Sequence, residues 1–123
     1  MANIIPFAFR GELFSGTHNF ANGGNSFKIA LYTGNPYSTS SDVYLTAQEV
    51  SASNTGYTTA GQVLGSQAVA SSTAVASVDF ADSIINSASF TAAFAAIYND
   101  TNGDKLCVVL DFGGNKTATN GTF

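Results

Sequence analysis

Cysteine is nearly absent from this sequence, and tryptophan is absent altogether. Because Cys107 stands alone among 123 residues, the chain forms no internal disulfide and offers no pair of thiolates to a metal ion. We interpret Cys107 as a small apolar residue of a strand. The sequence predicts neither a metal site nor a cofactor.

Charged side chains are also scarce. They make up 10% of the chain, where a soluble domain averages about 25%. The basic residues Arg10, Lys28, Lys105 and Lys116 are scattered singly in a chain of net charge -4, so the clustered positive charge that binds nucleic acid is missing. Small uncharged polar residues cost little to desolvate, which suits a protein packed against other subunits.

Long apolar runs are missing as well. No stretch approaches the roughly 18 residues of a membrane span, and residues 1–9 lack the charged start and cleavage site of a secretory signal. We therefore expect no membrane association and a protein that is soluble where it is made. Its length predicts one domain, residues 1–123, that removes roughly two-thirds of its unfolded surface from water.

Residues 1–16 are interpreted as an N-terminal arm that contains a short helix. Pro6 suits a first helical turn, and Phe9, Leu13 and Phe14 recur at helical spacing. Gly11 disfavours the helix, because glycine loses more backbone freedom than other residues.

Several strands are predicted from the alternation of apolar and polar residues. In residues 27–33, Phe27, Ile29 and Leu31 alternate with Lys28, Ala30 and Tyr32, which predicts a strand with one core face. Residues 90–99 are apolar at odd and even positions alike, which predicts a central strand covered on both faces. Further strands are predicted at 62–70, 74–80 and 105–112, the last with its even-numbered residues in the core and its odd-numbered residues facing away.

The strongest local signal is the pair Asn102 and Gly103 between two apolar segments. An Asn-Gly pair so placed predicts a tight hairpin, since both residues tolerate the positive φ of a type I′ turn. We expect this hairpin to lie inside a sheet whose edge, at residues 121–123, is left for a neighbouring subunit to cover.

Residues 34–57 carry no regular pattern. They are rich in Ser, Thr, Asn and Gly, with Tyr37 and Tyr44 among a few isolated apolar points. We predict a long loop excursion with at most one short strand. Loops of this length in a small domain are usually functional or ordered by a partner.

Five or six strands, turn residues between them and no long helix favour an all-β fold, namely an antiparallel β-sandwich with a short N-terminal helical arm. A jelly roll and an immunoglobulin-like sandwich both fit, and the sequence does not choose between them. The absence of a repeat of fixed period argues against a solenoid or a propeller.

No group of residues indicates catalysis, and we expect no enzyme. His18 has no Cys, Asp or Glu at ligand spacing, which favours a turn histidine bonded to nearby backbone. The chain has neither a Gly-x-Ser-x-Gly elbow nor a Ser-x-x-Lys pair. Residues 113–117 resemble the end of a phosphate-binding loop, but Asn115 separates the glycines from Lys116, which favours a turn.

The acidic residues are weak evidence for a carboxylate pair or a calcium site. Asp79, Asp82 and Asp111 would meet at one end of a sheet, and residues 100–104 contain part of a calcium-loop pattern without its distal glutamate. Turn chemistry explains these residues better.

Phenylalanine is abundant instead, with ten in the chain and several before the first clear strand. Packing in the core or over a sheet edge is the default interpretation. The low charge strengthens the alternative that some aromatic residues anchor other subunits. The candidate subunit-interface residues are Phe7, Phe9, Phe14, Tyr37, Tyr44 and Phe123.

Six blocks, taken together, resemble a group of short structural proteins encoded in tailed-bacteriophage genomes. The resemblance spans roughly residues 13–123 and rests on the order and spacing of the blocks. They are THNF at 17–20, FKIALYTG at 27–34, GYTTAGQVL at 56–64, VDFAD at 78–82, AAIYND at 95–100 and VVLDFGGNKTATNGTF at 108–123.

The resemblance implies a virion structural protein, and most closely a capsid decoration (cement) protein. Such a protein is assembled in the host bacterial cytoplasm and binds the capsid exterior, where it bridges major capsid protein subunits through its arm, its excursion and its strand edges. We expect a homo-oligomer, a trimer or a dimer, at the lattice axes.

Two alternatives stay open. One is a receptor- or carbohydrate-binding β-sandwich of a tail or head fibre, with Tyr37, Tyr44 and Tyr57 as exposed aromatics. The other is a tail-tube or connector subunit.

Overall fold

A computed structural model describes residues 3–123. These residues form one short helix and six strands, and every strand pair is antiparallel. The predicted all-β class and the short N-terminal helix are confirmed. In chain order the elements are α1 Phe7–Phe14, β1 Phe27–Tyr32, β2 Gln62–Leu64, β3 Ala68–Ser72, β4 Val75–Asp79, β5 Ala88–Asn99 and β6 Lys105–Gly121.

The main sheet has four strands in the order β2-β1-β5-β6. Since β5 pairs with β1 on one side and with β6 on the other, its predicted central position is confirmed. Both faces of β5 are apolar: Ala96 lies in the core on one face, and Ala95 lies in the core on the other. Alanine at both positions lets the covering segments approach the sheet closely.

β1 is covered on both faces, which corrects the prediction of a single core face. Ala30 and Tyr32 are as fully buried as Phe27, because the excursion folds over them and places Tyr37 in the same core cluster. Alternation along the strand hid this second face, because alanine and tyrosine also occur on exposed surfaces.

A one-residue bulge in β6 changes which side chains reach the core. Tyr98 pairs with Leu106 and Ile97 with Val108, so Cys107 is the extra residue of the bulge. Cys107 and Val109 are both buried. The prediction that odd-numbered residues of this strand face away is therefore wrong.

A larger irregularity replaces the turn predicted at residues 113–117. Ala92 pairs with Lys116 and Phe94 with Asp111, so one residue of β5 lies opposite four residues of β6. Gly113 is among these four and has a φ of +77°, a conformation that costs glycine little. β6 bulges here and continues to Gly121 instead of ending.

The predicted β5–β6 hairpin is confirmed, but its turn is not the predicted two-residue type I′ turn. Asn99 pairs with Lys105 and closes a five-residue loop, residues 100–104. Positive φ occurs at Gly103 and Asp104 and not at Asn102. The Asn99 side-chain oxygen accepts two backbone N–H groups of the loop, so a side chain rather than the Asn-Gly pair shapes the turn.

Irregular segments of the same chain cover much of the edges of the main sheet. Ile4 and Val109 exchange two backbone hydrogen bonds of 2.9 Å along the outer edge of β6, where the Leu106 N–H also donates to the Asp42 carbonyl at 3.0 Å. Ile85 and Phe123 exchange two bonds of 2.9 Å as well, and these extend the β5–β6 pairing beyond Ala88 and Gly121. Phe123 thus lies at the edge strand as predicted. Its backbone bonds to Ile85 lie on the β5 side of the strand, and a neighbouring subunit at the outer edge of residues 121–123 stays a prediction.

β3 and β4 form a separate two-stranded sheet. From here on we call this sheet the arm; it is distinct from the N-terminal arm of residues 1–16. All ten of its strand residues are exposed, and within residues 3–123 it contacts no other helix or strand. It does not supply the second layer that a sandwich within the chain would need. Alternating Ala, Ser and Val in this segment resemble a core strand in sequence although they lie in solvent.

We predict that Gly61→Ala destabilises the fold by about 3 kcal/mol, because it combines left-handed strain with overpacking. Gly61 has a φ of +88°, and an added Cβ would collide with the Ile29 carbonyl oxygen of β1. The control, Gly113→Ala, has similar strain but open space around it and should lose about 1 kcal/mol. Urea unfolding measures both, and equal losses would contradict the close approach.

Candidate interaction surface

Exposed apolar side chains of the described residues concentrate in two segments. Nine large apolar side chains are exposed, of which four lie within residues 5–14 and three on the arm. Concentration of this kind, rather than single scattered residues, indicates an interaction surface. The nine are Ile5, Phe7, Leu13, Phe14, Val63, Val69, Val75, Val78 and Ile84.

α1 displays its aromatic side chains more than it buries them. None of its eight residues is fully buried. Phe9 packs on the sheet side, with its ring 5.0 Å from that of His18. Phe14 is 95% exposed and Phe7 60% exposed, with the Arg10 guanidinium carbon 5.0 Å above the Phe7 ring centre. The helix is therefore a raised apolar ridge with one cation on it.

Beside α1 runs an apolar groove of about 420 Å³. Its floor is the β5–β6 face at Ile97 and Val108, and its far wall begins at Phe80, next to the arm. No charged residue lines it. The full lining is Ile5, Phe9, Leu13, Phe20, Val78, Phe80, Ile97, Cys107 and Val108.

A buried polar cluster lies beneath this groove and centres on His18. The Nε2 atom of His18 lies 2.8 Å from Oε1 of Glu12, and the Asn99 amide donates to Nδ1 at 3.0 Å. Cys107 Sγ is 3.7 Å from the same Nδ1. The prediction that His18 bonds to nearby backbone is wrong. No spacing signal reveals its partners, since two of them lie more than eighty residues away in sequence.

This cluster does not provide an activated nucleophile. Burial, with a contribution from Glu12, raises the pKa of the Cys107 thiol to about 12, and the thiolate is the reactive form. Since Asn99 donates to Nδ1, the Nδ1 lone pair of His18 is already engaged. The cluster instead fastens the end of α1 to the β5–β6 hairpin, aided by Lys105 Nζ at 3.4 Å from Glu12 Oε2.

Glu49 organises the long excursion on the other side of the sheet. Its carboxylate accepts hydrogen bonds from the Tyr44 hydroxyl at 2.5 Å, the Tyr57 hydroxyl at 2.6 Å and the Ala60 N–H at 2.8 Å. Val50, the next residue, donates its N–H to the carbonyl of Leu31 in β1 at 2.9 Å. The excursion is thus ordered within the chain, without a partner.

Buried tyrosines inside the excursion correct part of the predicted interface. Tyr37 is 4% exposed; its hydroxyl lies 2.6 Å from that of Tyr32 and accepts the Leu45 N–H at 2.9 Å. Its side chain therefore presents no surface to a partner. Tyr57 is also buried, so neither ring is available to stack on a sugar.

The remaining predicted interface residues differ in accessibility. Tyr44 is half-buried and stacks on Tyr98 with ring centres 4.7 Å apart. Phe123 is half-buried against Phe90, also at 4.7 Å. With Phe9 half-buried as well, only Phe7 and Phe14 of the predicted set present most of a ring to solvent.

Comparisons with known proteins returned no match. No protein-family model matches the chain, and neither curated proteins nor solved structures yielded a similar one. Within residues 3–123, no helix is long and apolar enough to cross a membrane. The same residues contain no group of three or more His, Cys, Asp or Glu side chains placed to hold a metal ion.

We predict that Glu49→Gln lowers the free energy of unfolding by about 2 kcal/mol. The charge-assisted hydrogen bonds are lost, and the new side-chain NH₂ group is a donor that faces other donors, namely hydroxyl and backbone N–H groups. Asp82→Asn is the control, since it removes the same charge from an exposed site and should change stability by less than about 0.5 kcal/mol. Chemical denaturation compares them. Equal effects would show that the network contributes little.

Alkaline pH should unfold the protein in one step with the ionisation of its tyrosines. Burial raises the pKa of all five phenols above the usual value. The folded state therefore holds protons that the unfolded state releases near pH 10, so stability is complete below about pH 9 and falls as the pH rises through 10. Tyrosinate absorbance and circular dichroism should change together, and tyrosinate formation before unfolding would contradict this.

Proposed function

We propose that this protein is a non-enzymatic structural protein of a tailed-bacteriophage virion. Within the virion we assign it to the capsid exterior as a decoration (cement) protein that bridges neighbouring major capsid protein subunits. The observation that carries the proposal is the exposed apolar ridge of α1 beside an uncharged groove. The phage-like sequence blocks support the virion as its place.

The ridge and groove are suited to a large protein partner. Burying apolar surface yields roughly 25 cal/mol per Å², and the groove offers no charge whose desolvation would oppose this. Phe7 and Phe14 are exposed, and aromatic residues, phenylalanine included, are enriched at the buried centre of protein–protein interfaces. Arg10, over the Phe7 ring, adds a cation for an acidic rim on the partner.

Lattice stabilisation follows from mass action. A protein that binds the assembled capsid but not the free subunits stabilises the assembled state. The stabilisation grows with the concentration of the protein relative to its Kd for the capsid. Since each copy contributes modestly, a capsid with many copies gains stability without any covalent link. No chemistry is required of the decoration protein itself.

The finer architecture stays a prediction from the sequence. The chain supplies one four-stranded antiparallel layer, and a jelly roll or an immunoglobulin-like sandwich needs a second. The carbohydrate-binding alternative has less support, because two of its three tyrosines are buried and the third stacks on Tyr98.

We predict that the double variant Phe7→Ser, Phe14→Ser loses binding to emptied capsids of the cognate phage by at least about a hundredfold, since two aromatic anchors are removed. Its fold should persist because both rings are exposed. Val63→Ser removes an equally exposed apolar side chain from β2 and should bind normally. Co-sedimentation and capsid melting with and without the protein measure this.

Failure of the unaltered protein to bind capsids, with equal melting of bare and mixed capsids, would refute the decoration role. Binding that survives the double variant but fails with Val63→Ser would move the contact away from α1.

A further inference from the structure

The arm is the part of this molecule that the core does not explain, and of its strand residues only Val78 lines the groove. It belongs to a stretch, residues 62–78, without a single charged residue. Val69 pairs with Val78 across the arm, so both side chains lie on one face, where both are exposed. Apolar residues on an exposed sheet face favour burial against another surface.

Hydrogen bonds fasten the base of the arm to the rest of the chain. The buried side chain of Gln67 donates to the carbonyls of Ala21 and Asn25, both at 2.9 Å. Below it, the N–H of Ala81 donates to the carbonyl of Gly65 at 2.9 Å. These bonds fix the position from which the arm leaves the rest of the fold.

Such an arm is incomplete by itself. A two-stranded hairpin is only marginally stable in water without further packing, and all ten strand residues of this one are exposed. Natural sheet edges are usually protected by lysine, proline or a bulge. β3 has none of these: its sequence is AVASS, and its register with β4 is uninterrupted.

The absence of charge on β3 indicates that its partner at this edge is a second copy of the chain. When an edge strand pairs antiparallel with its own copy about a two-fold axis, each residue near the axis lies close to its counterpart, so any charge would face itself. β3 is uncharged, whereas β4 ends in Asp79 and β6 carries Asp111 and Lys116. The other uncharged edge strand, β2, has only three residues, so β3 is the longer neutral edge at which two copies of a chain of net charge -4 approach without repulsion.

We propose that β3 pairs antiparallel with β3 of a second copy, about a two-fold axis perpendicular to the arm near Ala70. The two arms then form one four-stranded sheet, β4-β3-β3-β4. Because opposite residues of antiparallel strands share a face, the Val69 and Val78 side chains of both copies combine into one apolar patch. The pairing itself does not depend on the proposed function. Only its biological role does, because the dimer would be the homo-oligomer that spans two positions of the capsid lattice.

Cross-linking tests the register of this contact. Single variants Val69→Cys, Ala70→Cys and Ser71→Cys, oxidised under native conditions, should give a covalent dimer most efficiently at the residue nearest the axis. The unaltered protein is the first control, since its own Cys107 is buried and should not cross-link. Val63→Cys is the second control, because it is exposed on β2, outside the arm.

A charge variant tests the contact without oxidation. Ala70→Lys places two ammonium groups opposite each other and should weaken the dimer at least about tenfold at low salt. Thr73→Lys adds the same charge between β3 and β4, off the paired edge, and should dimerise like the unaltered protein. Sedimentation measures association, and circular dichroism checks that both variants are folded.

Several results would overturn the proposal. The first is an unaltered protein that is monomeric at about 100 µM, a concentration at which a dimer with a Kd of about 1 µM would be largely formed. The second is a dimer that Ala70→Lys leaves unaffected. The third is cross-linking from Leu13→Cys in the groove with none from β3. The test is separate from capsid binding. A monomer that still binds capsids would refute the pairing alone, and a dimer that does not bind them would refute the decoration role alone.

Discussion

A central strand that is apolar on both faces must be covered on both faces, and this constraint shapes the whole chain. β5 requires two covering layers, yet the only other sheet in residues 3–123 stands apart as the arm. The covers are therefore made from irregular segments, and each must satisfy its own backbone polar groups. Glu49 does this for the excursion, and the His18 cluster ties down the segment that follows α1.

How far the sequence predicts this fold depends on the range of the interactions. Local patterns were enough to predict the short helix, the central place of β5 and the β5–β6 hairpin, because each depends on residues that are close together in the sequence. The His18 cluster joins residues more than eighty positions apart, and no periodicity encodes such a meeting. The bulge at Cys107 inverted the predicted facing of β6, because one extra residue in a strand exchanges its two faces.

The candidate surface was predicted in part for the same reason. Phe7 and Phe14 were identified because a short helix cannot bury so many aromatic rings. Tyr37 was misassigned because a loop composition rich in Ser and Asn suggests exposure, whereas its hydroxyl is bonded twice inside the core. The predicted strands at 62–70 and 74–80 carried no sign that β3 and β4 stand apart from the main sheet, because alternation shows which residues share a face but not whether anything covers that face.

Covering the sheet with distant segments also dictates an order of events during folding. The β5–β6 hairpin is local and can form as soon as it is synthesised, but β1 must pair with β5 across more than sixty residues. Ile4 must wait longer still, because its partner Val109 lies more than one hundred residues away. Contacts of such high sequence separation form slowly. The aromatic segment that holds Ile4 and α1 is synthesised before its partners in β6, and it is thus among the last to find its place.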